Sequence, residues 1–452
     1  MQVTLEIHNT RTIIHCDLDA RIIVNDVLTY HLPGSEHIQS AMSHKAWSWD
    51  GQIRLLKRDN SFPTGLVKRV ARSLLKAKYR IVVDDQREKP TPDQKFNLDL
   101  PSFLVPRYYQ NDCAILTDKK QRGIFLIGTG GGKSLIMAMI CMKRAVQVLV
   151  CTPDTGIREQ LFKDFVEWFG SETVSKDIKS NKPIVISNIQ SLVRKDKKDF
   201  EQFRMLMTDE FHHSASKSYT KLNELAKNCF YRYGFTGTNL RTDGTEMTMH
   251  GVLSEVLCEK TTSDLIEEGF LVAPKINIHI YPLFGYSKLN WNKAYNKLVL
   301  DEEFNLTIAN LAREEIDKGK QVLILVRLKP HGEMLKILLR DQAAYLSGDD
   351  SVEYRDEQKD LFNRRIIPCI IATSVLGEGQ NIPNIDVFIN ARLQKSEIQT
   401  RQGIGRALRK SEGKTEAIVH DFLIERNASL NEHSVERIMQ YKSERAFKVI
   451  VK

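Results

Sequence analysis

The chain has 452 residues, 42% of them hydrophobic and 27% charged, which is enough for two or three domains with their own cores and excludes a disordered or fibrous chain. Its 66 basic residues against 57 acidic ones give a net charge of +9, which suits a polyanionic partner without identifying one. The amino terminus carries no basic segment followed by an apolar one, the apolar runs (AVQVLVC, QVLILV, IIPCIIA) fall far short of a membrane span, and the seven cysteines include no C-x-x-C pair. A soluble, cytoplasmic chain with reduced thiols is therefore expected, with Cys151 and Cys369 in the core and no contact with a membrane.

Residues 1–88 read as short strands (QVTLEIH, TIIHC, ARIIVND, GQIRLL) followed by one amphipathic helix, GLVKRVARSLLKAKY, which together make a small α+β domain. The helix carries Lys68, Arg69, Arg72, Lys76 and Lys78 and no acid, and Arg54, Lys57 and Arg58 precede it. Such a set can neutralise phosphates in a salt-sensitive, sequence-independent way, so this is a candidate accessory DNA-binding domain. A solvated helix face packed through Leu66, Val70 and Leu74 is an equally good reading. Trp47 and Trp49 suit either base stacking or a core. The polar, proline-bearing stretch 89–100 reads as a linker.

From 101 to 262, apolar runs alternate with helical patterns: GIFLIG then KSLIMAMICMKRA, VQVLVCTP then REQLFKDFVEWF, then PIVISN, FRMLMTDE and YRYGFTGT. This order implies a parallel sheet covered by helices on both faces. The rhythm restarts at KQVLILV and runs through IIPCIIATS, NIDVFINA and EAIVHDF. The expected fold is α/β, with two parallel-sheet domains in tandem, 101–262 and 263–452, behind the small N-terminal domain. Within the second, KINIHIYPLFGYSKLNWNKAY suggests a hairpin inserted at 276–300, and the chain is expected to close with a helical tail.

The stretch GTGGGKS follows the apolar strand IFLI and opens a helix, the context of a phosphate-binding loop. Gly130, Gly131 and Gly132 let backbone N–H groups approach phosphates, Lys133 can reach the β and γ groups, and Ser134 can ligate Mg²⁺. The strict pattern asks for glycine where Ile127 stands, so a glycine turn that happens to end in Lys-Ser is the alternative. Downstream, MLMTDEFHH ends another apolar run with two acids. Beside a phosphate loop, Asp209 would hold Mg²⁺ through water and Glu210 would orient and deprotonate the attacking water. Taken alone, the pair reads equally well as an acidic helix start. His212 and His213 face different ways with no cysteine near, so no metal is expected there.

In order along roughly residues 105–425, TGGGKS, DEFHH, TGT (Thr236, Gly237, Thr238) and RQGIGRALRK resemble motifs I, II, III and VI of superfamily 2 helicases and translocases of the DExH type. In that family the first position of the phosphate loop is often not glycine. The resemblance implies two RecA-like domains, ATP with Mg²⁺, and a nucleic-acid partner. It further implies that Gln110 of PRYYQ reads adenine and that Arg107 and Thr129 join the nucleotide site. Thr152 and Pro153 (motif Ia), Ser187 and Gln190 (motif Ib) and Thr373 (motif V) would hold the nucleic-acid backbone. Thr236, Gly237, Thr238 and Glu378 would couple the two activities, and Gly379 would touch nucleotide. GTNLRTD brings Arg241 and Asp243 to their recurring positions, whereas Asn381 replaces the usual motif V aspartate. EEGFLVAP resembles the hinge and VLILVRLKPHGEML motif IV. Arg406 and Arg409, with Gln402 nearby, would reach the γ-phosphate across the interdomain cleft, which makes hydrolysis depend on closure.

The flanks narrow the resemblance. HKAWSWDGQIRLLKR with the basic helix, and the C-terminal NEHSVERIMQYKSERAF, look like the corresponding parts of phage recombination helicases. These are ATP-driven motors on branched DNA that move four-way junctions and regress forks. That implies branched or duplex DNA as partner, alongside other recombination or replication proteins, in a host cytoplasm. A hairpin at 276–300 would then serve as a wedge at the branch point. A duplex translocase of a restriction or remodelling system and an RNA helicase stay open as alternatives, although no P-D-x-E-x-K nuclease pattern is present. A small-molecule phosphotransferase would leave motifs V and VI without a purpose.

Overall fold

Alternating apolar residues at the amino terminus build a sheet with one buried face. In the computed structural model, which describes residues 1–32, 35, 49–96, 98–211, 217–237, 246–285, 287–373, 385–395, 403–410 and 413–452, β1 (Gln2–Ile7) pairs antiparallel with β2 (Arg11–His15). The ribbon of β3 (Thr29–His31) and β4 (Gln52–Arg54) stands apart. With β5 (Ser61–Pro63) and β6 (Arg80–Asp85), the main sheet runs β5-β2-β1-β6. The segment ARIIVND, expected as a strand, is instead part of the helix Leu18–Val27. Ala20 and Val24, four apart, are its buried pair, and Asp17 caps its first turn, a contact worth about 1 kcal/mol. The basic helix spans Val67–Lys76 and buries Val70 and Leu74.

The central members of the next seven strands are largely apolar and buried, because both faces of a parallel sheet are covered there. The seven are β7 (Arg122–Ile127), β8 (Val148–Thr152), β9 (Val174–Ser175), β10 (Ile184–Asn188), β11 (Met205–Thr208), β12 (Tyr231–Thr236) and β13 (Val256–Lys260), in the order β13-β7-β12-β11-β8-β10-β9. Every residue of β7, β8, β11 and β12 is buried. Phe125 and Phe235 stack across β7 and β12, 5.1 Å between ring centroids.

A second seven-stranded sheet holds β14 (Ala273–Pro282), β15 (Val322–Leu325), β16 (Ala343–Leu346), β17 (Cys369–Ala372), β18 (Val387–Asn390), β19 (Glu416–Glu425) and β20 (Lys448–Val451), in the order β16-β17-β15-β18-β19-β14-β20. The fold is α/β with two parallel sheets behind a small α+β element, as the alternation of strands and helices implied. By contacts the chain divides into two compact units, Met1–Ile127 with Gly132–Glu259, and Gly128–Gly131 with Lys260–Lys452. Cys151 and Cys369 are fully buried in β8 and β17. Among the described residues no helix is long and apolar enough to cross a membrane.

Two expectations for the second unit are corrected. In place of a hairpin at 276–300, β14 runs ten residues in unbroken register with β19, and Asn290 then caps the helix Trp291–Val299. The residues after FGYSK have helical spacing, since Ala294, Tyr295, Leu298 and Val299 form one buried face. The tail is not purely helical either. After the helix Ala428–Ser443 the chain returns as β20, which pairs parallel with β14.

That tail helix is anchored by a buried ion pair. Arg437, 1% exposed, donates to Asp421 of β19 (Nη2–Oδ1 2.9 Å, Nε–Oδ2 3.0 Å) and to the carbonyls of Leu393 and Phe422. Asp421 also accepts from Asn390 Nδ2, the Phe422 N–H and the Tyr441 hydroxyl. Removing one partner of such a pair strands the other charge away from water. Arg437→Met is therefore expected to destabilise the protein by about 3–5 kcal/mol, read as a lowered urea midpoint of the full chain.

Candidate functional site

The phosphate-loop segment is shaped by its glycines. Gly130 and Gly132 have φ of +82° and +76°, a region that side chains disfavour. At Gly132 a Cβ would also lie 2.3 Å from Gln110 Nε2, so a side chain there would displace the Gln110 amide. Gly132 is the N-cap of the helix Lys133–Arg144, which makes Lys133 and Ser134 its first two residues. Backbone N–H groups without helical partners, together with the helix dipole, favour an anion at this end. Thr129 is half-buried in the loop. Ile127 ends the fully buried β7.

Opposite the loop, β11 delivers Asp209 and Glu210, each 9% exposed. Asp209 Oδ1 accepts the Glu210 N–H at 2.9 Å. Glu210 has φ of +46°, a conformation costing a non-glycine residue about 1–2 kcal/mol. Its Oε1 lies 2.7 Å from Lys133 Nζ, with both side chains largely buried. Gln110 sits on the helix Tyr108–Leu116, where its Oε1 accepts the Arg107 N–H at 2.8 Å, and the Arg107 guanidinium donates to the Tyr109 hydroxyl at 3.0 Å. Gln110, Gly132, Lys133, Asp209 and Glu210 are thus linked in one cluster at the carboxyl edge of the first sheet. The cluster fits a magnesium nucleotide: an anion cradle, one ammonium and two carboxylates. Among the described residues no three His, Cys, Asp or Glu side chains are placed to hold a metal by themselves, and a magnesium site completed by substrate phosphates needs no such group.

The candidate nucleic-acid residues are less uniform. Thr152 is fully buried and Ser187 nearly so, whereas Gln190 is exposed and Pro153 half-buried. Thr152 and Asn188 are register partners, which makes the two loops neighbours. Thr152 Oγ1 donates to the Asp154 carbonyl, so this hydroxyl shapes the loop. Thr236 is buried at the end of β12, with Gly237 half-buried after it. On the basic helix, Lys68 is paired with Glu255, which Lys120 also approaches at 3.1 Å, and Arg69 Nε donates to the Val27 carbonyl. Arg72 and Lys76 are exposed. Arg54 is held by Asp50 at 2.5 Å, which keeps that carboxyl below the usual carboxylate range. Sequence reasoning missed Glu255, which lies 187 residues from Lys68 and carries no local signal.

In the second unit, Thr373 is buried at the end of β17, where its carbonyl accepts from Arg392. Arg406 is 6% exposed, and Arg409 bridges to Leu271 while the Val272 N–H donates to the Leu408 carbonyl at 2.9 Å. Lys414 Nζ donates to the carbonyls of Ala407 and Ile385, and burial pushes its pKa down to about 8. These contacts fix the short helical segment that carries Arg406. Trp47, His212, His213, Thr238, Arg241, Asp243, Glu378, Gly379, Asn381 and Gln402 lie outside the described residues.

Comparison with known proteins decides the class. Residues 103–241 match the family described as Type III restriction enzyme, res subunit, residues 303–411 the Helicase conserved C-terminal domain, and residues 5–84 DNA helicase UvsW, N-terminal. The chain is a superfamily 2 helicase. The helicase is 28% identical over 448 residues to the ATP-dependent DNA helicase uvsW of Enterobacteria phage T4, covering 88% of this chain and 89% of that one. It is 27% identical over 374 residues to D10 of Escherichia phage T5, named as a helicase, covering 79% and 78%. The crystal structure of T4 UvsW shares the fold at a TM-score of 0.50 and 24% identity, over 100% of this chain and 99% of that one. Membership in the superfamily implies use of ATP and binding of nucleic acid.

Proposed function

We propose that this helicase is an ATP-dependent motor on branched DNA that moves four-way junctions and regresses forks in recombination, repair or replication. The observation that carries the reading is the pairing of Lys133 with Glu210 at the mouth of a glycine-shaped loop, on a chain whose residues 5–84 and 303–411 match helicase families and whose residues 103–241 match the type III restriction enzyme res subunit. The Lys133 ammonium is poised to exchange Glu210 for the β and γ phosphates of ATP. That exchange frees Glu210 to take a proton from the attacking water. Bound Mg²⁺ would be held by Ser134, Asp209 and the phosphates, supplying charge neutralisation at the transferring group.

Gln110, already against the loop, binds adenine, and Arg107 positions it. Arg406 and Arg409 of the second unit supply the positive charge that hydrolysis needs, so that turnover follows closure of the two units. The boundaries that suit this reading are 1–88 for the accessory domain, 89–100 for a linker, 101–262 for the ATP-binding domain and 263–452 for its partner. Restriction and RNA roles are less favoured, because residues 5–84 match a DNA helicase N-terminal family.

The test is steady-state ATP turnover with no polymer, single-stranded DNA, duplex, a four-way junction and RNA. The strongest stimulation is expected from the junction. Equal stimulation by RNA would move the assignment to the RNA reading, and stimulation by plain duplex alone would favour a duplex translocase.

A further inference from the structure

We propose that a second nucleic-acid site, a basic groove at the amino-terminal edge of the first large sheet, grips the sugar-phosphate backbone of a duplex arm. The groove has a volume of about 720 Å³ and lies where the small N-terminal sheet meets the first seven-stranded sheet. The two are joined there by Arg122 Nη2 donating to the Asn9 carbonyl at 2.8 Å and by Tyr30 hydrogen-bonded to Thr248 at 2.7 Å. Six cations line it: Arg11, Arg54, Lys57, Arg87, Lys197 and Lys227. The lining contains a single acid, Glu224.

Arg54 and Arg87 are matched by Asp50 and Asp85. Arg11, Lys57, Lys197 and Lys227 are exposed and take part in no ion pair among the described residues. Asp59 offsets part of the charge of Lys57 and Arg11 through space, its own carboxylate being occupied by Ser61. A concave wall dominated by one sign of charge focuses the field and concentrates a polyanion.

The lining also says which part of the polyanion is bound. Its one phenyl ring, Phe62, is 1% exposed, and its one imidazole, His8, is hydrogen-bonded to Glu6 at 2.7 Å, so the groove offers no open phenyl, phenol or indole face on which unpaired bases could stack. Contacts of this kind go to phosphates and read no sequence. Lys197 lies in the turn Lys197–Phe200 before β11, and Lys227 lies just before β12. The phosphate loop and the Asp209–Glu210 pair follow β7 and β11 at the opposite, carboxyl edge. Strands of four to six residues separate the two edges by roughly 15–20 Å. A polymer in the groove is therefore a different segment from one lying along the nucleotide edge. A branched substrate supplies such a segment as a second arm, and this step rests on the proposed function above.

The test uses two full-length variants that reverse charge on opposite walls, Lys197→Glu with Lys227→Glu, and Arg11→Glu with Lys57→Glu. None of these residues belongs to the nucleotide site. Thermal midpoints and turnover stimulated by single-stranded DNA are measured beside Kd for a four-way junction and for single strands across a salt series. Each variant is expected to lose about tenfold or more in junction affinity, with the log K against log salt slope shallower by about 2. Single-strand affinity and stimulated turnover should stay within about twofold. Unchanged junction affinity, or an equal loss on single strands, would overturn the groove as a duplex-arm site. So would loss of polyglutamate binding with junction binding intact, which would assign the groove to an acidic protein. If the unaltered protein shows no polymer-stimulated turnover while the variants still lose junction affinity, the groove stands and the motor reading fails.

Discussion

Lys133→Ala is expected to lower ATP turnover by at least about 10²–10³-fold, the loss that follows removal of one preorganised electrostatic contact to a reacting group. Lys133 opens the helix Lys133–Arg144 and its ammonium lies 2.7 Å from Glu210, with only 16% of its side chain exposed. An alanine there removes the one side-chain cation of the phosphate loop and leaves Glu210 without its described ion-pair partner. The variant should still fold, because the buried face of that helix is made by Ile136, Met137, Ile140 and Cys141. A coupled ATPase assay at saturating ATP reads the effect, with the thermal midpoint as control. Ordinary turnover in the variant would remove the phosphate loop from the mechanism.

Arg406→Ala is expected to abolish turnover by a comparable or larger factor, about 10³ or more, while nucleotide still binds. The two measurements separate because Arg406 belongs to the second unit, whereas the phosphate loop's helix and the Asp209–Glu210 pair belong to the first. Fluorescent-nucleotide titration should return a Kd near that of the parent while kcat collapses. Arg406→Lys should not rescue, since an ammonium lacks the planar fork that meets two phosphate oxygens at once. Lys414 and the Leu271–Arg409 bridge hold the segment carrying Arg406, so the substitution is expected to leave the local backbone in place. Normal hydrolysis by Arg406→Ala would mean that the first unit is catalytically complete alone.

Much of this architecture was legible because buried parallel strands are written as unbroken apolar runs. IFLI, VLVCT and MLMT each appear as fully buried strands, and the loop following IFLI is legible because the left-handed φ at Gly130 and Gly132 favours glycine. Other segments misled for physical reasons. ARIIVND is short and apolar enough to suit either period, and the Asp17 cap with the Ala20–Val24 spacing decided for helix. FGYSK looked like a hairpin tip, but Asn290 two residues beyond it caps a helix. Pairings between distant segments leave no local trace. The Arg437–Asp421 pair, the Lys68–Glu255 contact and the walls of the basic groove fall in this class.

The central claim is that ATP hydrolysis at Lys133 and Glu210 is driven by engagement of branched DNA. Its most direct test is the ratio of steady-state ATP turnover with a four-way junction to turnover with no polymer, taken on one preparation at physiological salt. The account predicts a rise of at least about tenfold, the scale on which coupling between sites operates, and a larger rise than with single strands of equal nucleotide content. Turnover that is the same with and without the junction would contradict it.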